Sequence, residues 1–263
     1  MRRQVTAHLE LNITEPALLA LQIAAAAPGA DDQLIATLDG AEQKPREIAA
    51  PHGGRMHLRN PDPGQLVIYY SGSVEGRVPP QETPEHDLLS YRRPSRYCPS
   101  DRFLATAAAE FGGIDDDGEL VRSVVRWVGD RLIYLGGSSG PSDDAVDTLL
   151  LGEGVCRDYA HLVLSLLRAR NVPARLVAAY APGLYPMDFH AVVEAWVDGG
   201  WWLVDATGLA PRASMLRIAT GRDAADTAFL SVHRGAADLV AVGVLAVVDD
   251  LPTDDPDATV TLG

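Results

Sequence analysis

Lysine is nearly absent: Lys44 is the only one in 263 residues, and arginine supplies the remaining positive charge. We read this as compositional bias, since arginine alone can serve the surface. Against 22 basic residues stand 36 acidic ones, for a net charge of −14 and a pI near 4.8. A chain this acidic lacks the basic stripes that neutralise a phosphate backbone, so nucleic acid is not an expected partner. Cysteine is scarce too. Cys98 and Cys156 alone do not make a disulfide framework, and they fit a reducing compartment with free thiols. Long apolar runs are missing: the late stretch Leu239–Val248 is too short to span a bilayer, so no membrane partner is expected. Residues Pro16–Ala27 look superficially like a secretory h-region, but Glu10 and Glu15 precede them where a signal peptide carries basic residues. The expectation is a mature cytoplasmic protein. Hydrophobic content of 47% and charged content of 22% are ordinary for a globular chain. The length allows one large domain or two modest ones.

What is present divides into two parts. In the first, Val5, Ala7, Leu9, Leu11 and Ile13 occupy alternate positions, the period of a half-buried strand. Similar short runs cover 18–25, 33–38, 46–50, 56–59 and 65–71, with Asp39-Gly40 and Gly53-Gly54 as turn signals. The spacing predicts an N-terminal β-sandwich over 1–92, although the alanine-rich 18–27 stretch also reads as helix. Composition changes near Val78-Pro79-Pro80 and Pro84, which marks the boundary. Beyond it, helical patterns cover 101–111 after a Ser100 cap, 118–132, 143–151 and a helix from about Cys156 that ends at Asn171-Val172-Pro173. Strands follow at 174–180, 189–197 and 201–206, with a late one at 239–248. Helices leading into an antiparallel sheet predict an α+β domain over 93–250, followed by a loosely ordered acidic tail at 251–263.

The chemistry concentrates around Cys156. It follows Gly152 and Gly154 at the start of a helix, where unpaired N–H groups and the positive dipole end favour a thiolate. The competing reading is an inert buried cysteine. His161 is the nearest histidine, but five residues of helix turn it roughly 140° away from Cys156, so a base must come from elsewhere. His161 reads better as a buried histidine bonded to backbone or carboxylate. His190 opens a strand that alternates His190, Val192, Glu194 and Trp196. A two-residue turn at Asp198-Gly199 pairs Val197 with Gly200 and sets Asp205 opposite Val192. His190 and Asp205 then lie on one face as diagonal neighbours, and a slip of one residue would separate them. Asp205 could instead merely cap a turn with Thr207.

The run Gly154-Val155-Cys156-Arg157-Asp158-Tyr159-Ala160-His161-Leu162, then His190-Ala191, then Trp201-Trp202-Leu203-Val204-Asp205-Ala206-Thr207, resembles the bacterial transglutaminase-like superfamily. The resemblance covers roughly residues 90–210, including Tyr91–Ser100, and the strand-rich N-terminal part resembles the β-sandwich that precedes this papain-like core. It implies that Cys156 is the nucleophile, His190 the general base and acid, and Asp205 its orienting residue. The implied chemistry is a thioester route on a protein or peptide amide, resolved by water or an amine and requiring no cofactor. The Cys156 N–H would hold the oxyanion with a second donor from Tyr134, Ser138, Ser139 or Ser142. The superfamily includes transferases, proteases, deglycosylases and inactive members, and the sequence does not choose among reactions. Two alternatives remain: a zinc site from Cys156, His161, His190 and Asp205, or a non-enzymatic interaction module. Aromatic content of only 6% and the complete triad speak against the module.

Overall fold

A computed structural model describes residues 1–79 and 82–262. Pro80, in the expected boundary stretch, and Gly263, at the end of the expected tail, lie outside the described residues.

Alternation organises the N-terminal region. In β1 (Arg2–Leu21), Val5, Ala7, Leu9, Leu11 and Ile13 are all buried, as the period of two requires. Register shifts after Glu10 and between Ile13 and Leu19 let the strand bend and continue to Leu21. The first residues of the alanine-rich stretch are therefore strand rather than helix. β2 (Asp31–Leu38), β3 (Ala41–Gln43), β4 (Arg46–Ala49), β5 (Arg55–Arg59) and β6 (Gly64–Glu75) complete this part in the order β3-β2-β6-β1-β5-β4. Asp39 and Gly40 both take left-handed φ values (49° and 81°), so they close the β2–β3 hairpin tightly.

The core follows as α1 (Glu85–Ser90), α2 (Leu104–Phe111), α3 (Asp117–Arg131), β7 (Ile133–Tyr134), α4 (Ala145–Leu151), β8 (Glu153–Gly154) and α5 (Cys156–Ala169). Asp116 caps α3 through the Glu119 N–H, and Asp144 caps α4 through the Val146 and Asp147 N–H groups. Ser100 is not the cap expected for α2. It lies buried in a 3-10 turn over Ser100–Phe103, its N–H given to the Cys98 carbonyl. Asn171, with φ of 67°, ends the chain's run out of α5. A four-stranded antiparallel sheet comes next: β9 (Ala174–Tyr180), β10 (Phe189–Val197), β11 (Gly200–Val204) and β12 (Leu216–Gly221), ordered β11-β10-β9-β12. α5 is buried nearly all round: Leu162, Val163, Leu166 and Leu167 pack with Leu176, Val193 and Ala195 of this sheet. On the sheet, Glu194 is 1% exposed and accepts from Arg175 at 2.7 Å and Arg217 at 2.6 Å, tying β9, β10 and β12 together.

The chain then passes through α6 (Ala224–Thr227) into β13 (Leu230–Val248). Sequence order assigns this late strand to the core domain. It runs instead along β1 from Arg3 to Leu21, giving the N-terminal sheet its seventh strand. The apolar run Leu239–Val248 carries no marker of which sheet it joins, so its place in the chain points to the wrong one. The strand-rich region is one hydrogen-bonded sheet, and its buried face shares a cluster with Tyr180, Leu216, Ile218 and Ala219 of the core. The acidic tail is docked rather than loose. Arg212 grips Asp254, and the Leu203 N–H donates to the Val260 carbonyl at 2.7 Å. Among the described residues, no helix is long and apolar enough to cross a membrane.

Candidate active site

Cys156 is the first residue of α5, and its thiol is half-buried and unpaired with Cys98. The N–H groups of the first turn and the helix dipole meet there, the setting that stabilises a sulfur anion. Gly154 permits the tight approach behind it: a Cβ at this position would stand 2.6 Å from the Asp158 Cβ. Asp158 is fully buried and accepts the Val155 N–H at 2.8 Å, closing the helix start.

The β10–β11 hairpin follows the expected register. Asp198 and Gly199 have φ of 51° and 79°, Val197 pairs with Gly200, and Val193 pairs with Val204. His190 and Asp205 therefore share a face, and His190 Nε2 lies 2.7 Å from Asp205 Oδ2. The turn-cap reading of Asp205 also holds. Its Oδ1 accepts the Thr207 N–H at 2.9 Å and the Thr207 hydroxyl at 2.8 Å. That Asx-type turn fixes the carboxylate and turns its other oxygen toward the imidazole.

Electrostatics reinforce the geometry. Burial opposes the charged form of His190, yet the charge and hydrogen bond of Asp205, helped by Cys156, raise it to about 10. Burial likewise favours a neutral Asp205, but His190 and Thr207 outweigh it and hold the carboxyl below its ordinary 3.8. With Nε2 committed to Asp205, the buried Nδ1 is the ring nitrogen without a hydrogen-bond partner, and Cys156 is the other group acting on the ring. The arrangement can hold a protonated imidazole on the Asp205 carboxylate.

The four candidate donors separate. Burial and the Cys156 charge push the Tyr134 hydroxyl up to about 12, while a hydrogen bond from the Cys156 backbone opposes the shift. Tyr134 pairs with Gly154 in the β7–β8 ladder, two residues before Cys156, so it lies beside the start of α5. Ser138 donates to the Leu135 carbonyl at 2.8 Å, Ser139 donates to Asp158 at 2.6 Å, and Ser142 is exposed. His161 is elsewhere. It is fully buried, stacks on Tyr97 at 5.2 Å and accepts the Ala224 N–H at 3.2 Å, with burial lowering it to about 4. No group of three or more Cys, His, Asp or Glu among the described residues is arranged to hold a metal. A cavity of about 450 Å³, lined by Arg175, Glu194, Trp196 and Trp201, adjoins the β10–β11 turn and does not include His190.

The transglutaminase-like superfamily core matches residues 105–206, a span that contains Cys156, His190 and Asp205. Residues 105–206 form a domain of the transglutaminase-like superfamily. Enzymes of this superfamily are cysteine hydrolases and acyltransferases. An uncharacterized protein of Mycobacterium leprae is 31% identical over 162 residues, covering 56% of this chain and 57% of that protein. A protein-glutamine gamma-glutamyltransferase of Pseudomonas aeruginosa is 37% identical over 82 residues, which span 27% of this chain but 12% of that enzyme. The crystal structure of a Cytophaga hutchinsonii protein, described as a candidate cysteine protease, superimposes with a TM-score of 0.88 at 29% identity. It covers 98% of this chain and 95% of its own, so the transglutaminase-like core and the strand-rich region recur there together.

Proposed function

We propose that the protein is a cysteine-dependent enzyme that cleaves or transfers amide or isopeptide bonds of protein or peptide substrates through a thioester. The observation that carries this reading is the 2.7 Å contact between a buried His190 and Asp205 beside a cysteine at a helix start. In the proposed mechanism His190 Nδ1 takes the Cys156 proton, and Asp205 stabilises the resulting imidazolium through Nε2. The thiolate attacks the carbonyl carbon. The Cys156 N–H and the Tyr134 hydroxyl receive the developing oxyanion. Collapse of the tetrahedral intermediate breaks the C–N bond, and His190 gives its proton to the leaving amine. Water or a second amine, deprotonated by His190, then attacks the thioester and regenerates the thiol. Water makes the enzyme a hydrolase, an amine a transferase. Two free thiols favour the cytoplasm as its compartment.

The test is differential alkylation. Near pH 7, iodoacetamide is expected to label Cys156 at least about 100-fold faster than Cys98, because only Cys156 has a base and a helix start beside it. Cys98 is fully buried, which pushes its thiol up to about 12. Equal, slow labelling of both cysteines in the folded protein would instead favour an inert scaffold.

A further inference from the structure

The loop that leaves β7 is tied to the two residues that follow Cys156. Asp158 accepts the Ser139 hydroxyl at 2.6 Å through Oδ2 and the Arg157 guanidinium at 3.0 and 3.2 Å through Oδ1. Arg157 Nη2 also donates to the Gly140 carbonyl at 2.8 Å and reaches the Ser139 hydroxyl at 3.2 Å. Asp158 is 0% exposed, so its charge-assisted bonds are made at a buried carboxylate, while Arg157 stays partly open to solvent. None of them is needed to make the helix: the Val155 N–H alone satisfies the capping role of Asp158.

What they hold is the segment carrying Tyr134. The β7–β8 ladder is two residues long, fastened by Ile133 N–H to the Gly152 carbonyl and Leu135 N–H to the Gly154 carbonyl. A ladder that short is weak by itself. Beyond it come Gly136, Gly137 (φ of 80°) and Gly140. A Cβ added at either of the first two would meet nothing within 4 Å, so the loop has little stiffness of its own. The attachment at Ser139 and Gly140 fixes its far end.

We propose that Arg157, Asp158 and Ser139 form a latch that positions the Tyr134 hydroxyl against the Cys156 N–H, making them positioning residues for the oxyanion site. The inference rests on the reading of Cys156 as nucleophile. The latch is welded to the nucleophile by sequence, since Arg157 and Asp158 are the next two residues of the same helix. Motion of the loop and motion of the thiol are thereby coupled, and the donor pair keeps its spacing as the site fills.

The experiment uses p-nitrophenyl acetate, whose acyl transfer to Cys156 develops an oxyanion, and iodoacetamide, whose displacement at sp³ carbon does not. Removing a whole oxyanion donor costs about 10²–10³-fold, so loosening one should cost less. Ser139→Ala is expected to slow acylation by the ester about tenfold with KM little changed, and to leave Cys156 alkylation within about twofold. Arg157→Met should behave alike and serves if Ser139→Ala does not fold. In a Tyr134→Phe background, Ser139→Ala should cost less than about twofold more, because the group it positions is gone. Equal losses in both reactions, or full additivity with Tyr134→Phe, would overturn the latch. Normal ester acylation in Ser139→Ala would overturn it as well. Wild-type protein that is acylated by the ester yet turns over no peptide amide would sink the amide reading and leave the latch standing. Wild type inert to both reagents would sink both.

Discussion

Cys156→Ala is expected to lower amide turnover by about 10⁴- to 10⁶-fold, the range seen when a nucleophile acting as one unit with its base is removed. His190→Ala should cost about as much, and the double substitution little more than either single one. The reason is the proposed sequence of steps. Without the thiol no thioester forms, and without the imidazole neither the thiol proton nor the amine proton has a carrier. Truncating Cys156 leaves the packing of α5 on Leu162, Val163, Leu166 and Leu167 intact, whereas His190→Ala strands the buried Asp205 carboxylate and should also lower stability. Initial rates on a panel of glutamine-containing and isopeptide-linked peptides, with circular dichroism as the folding control, give the comparison. Turnover that survives Cys156→Ala would contradict the mechanism, as would activity lost to a chelator and restored by zinc.

Asp205→Asn carries the second large effect, a fall in kcat of about 10⁴-fold with residual activity remaining, because Asp205 orients and stabilises but transfers no proton. Its pH signature is more specific. In the intact protein His190 is raised to about 10, so the imidazolium beside Asp205 should persist across neutral pH and the alkaline limb of kcat should fall near that value. Removing the carboxylate leaves burial as the dominant influence on the ring, and burial lowers it. The alkaline limb should therefore move to lower pH in Asp205→Asn. An unmoved limb would mean that another group sets it. The same pair shapes stability. His190 is raised above its unfolded value near 6.5, so its contribution is complete below that pH and is lost as pH rises through about 10. Asp205 is depressed below 3.8, so its contribution is present above that pH and is lost as pH falls through the lower folded value.

The pairing of His190 with Asp205 is legible directly in the chain, because a two-residue turn at Asp198-Gly199 leaves only one register and strand alternation does the rest. The existence of α5, β9 and β10 is legible because their ends are marked by Asn171-Val172-Pro173 and Asp198-Gly199, while their burial on nearly every side is not. Nor is the partner of β13. A run such as Leu239–Val248 states that a strand exists, while its neighbour is chosen by pairing with Arg3–Leu11 at the far end of the sequence. The choice of Tyr134 over the three serines is hidden similarly, since it depends on which face of β7 meets the start of α5. Ser139 has a signal of a kind, a small hydroxyl in a glycine-rich loop, but only the fold links it to Asp158. Arg175, Glu194 and Arg217 show the remaining limit. Three charged residues on three strands carry no sequence mark of burial, and they converge through the pairing of β9 with both β10 and β12.

The central claim is a covalent acyl–Cys156 intermediate, and intact-protein mass spectrometry after acid quench tests it most directly. Wild-type protein should be mixed with the best peptide amide of the panel and quenched at a series of times from milliseconds upward. The account predicts a mass increase equal to the acyl fragment, mapped to Cys156 and removed by hydroxylamine, with none on Cys156→Ala. Turnover of that peptide with no adduct under any quench time, or an adduct mapped to another residue, would contradict it.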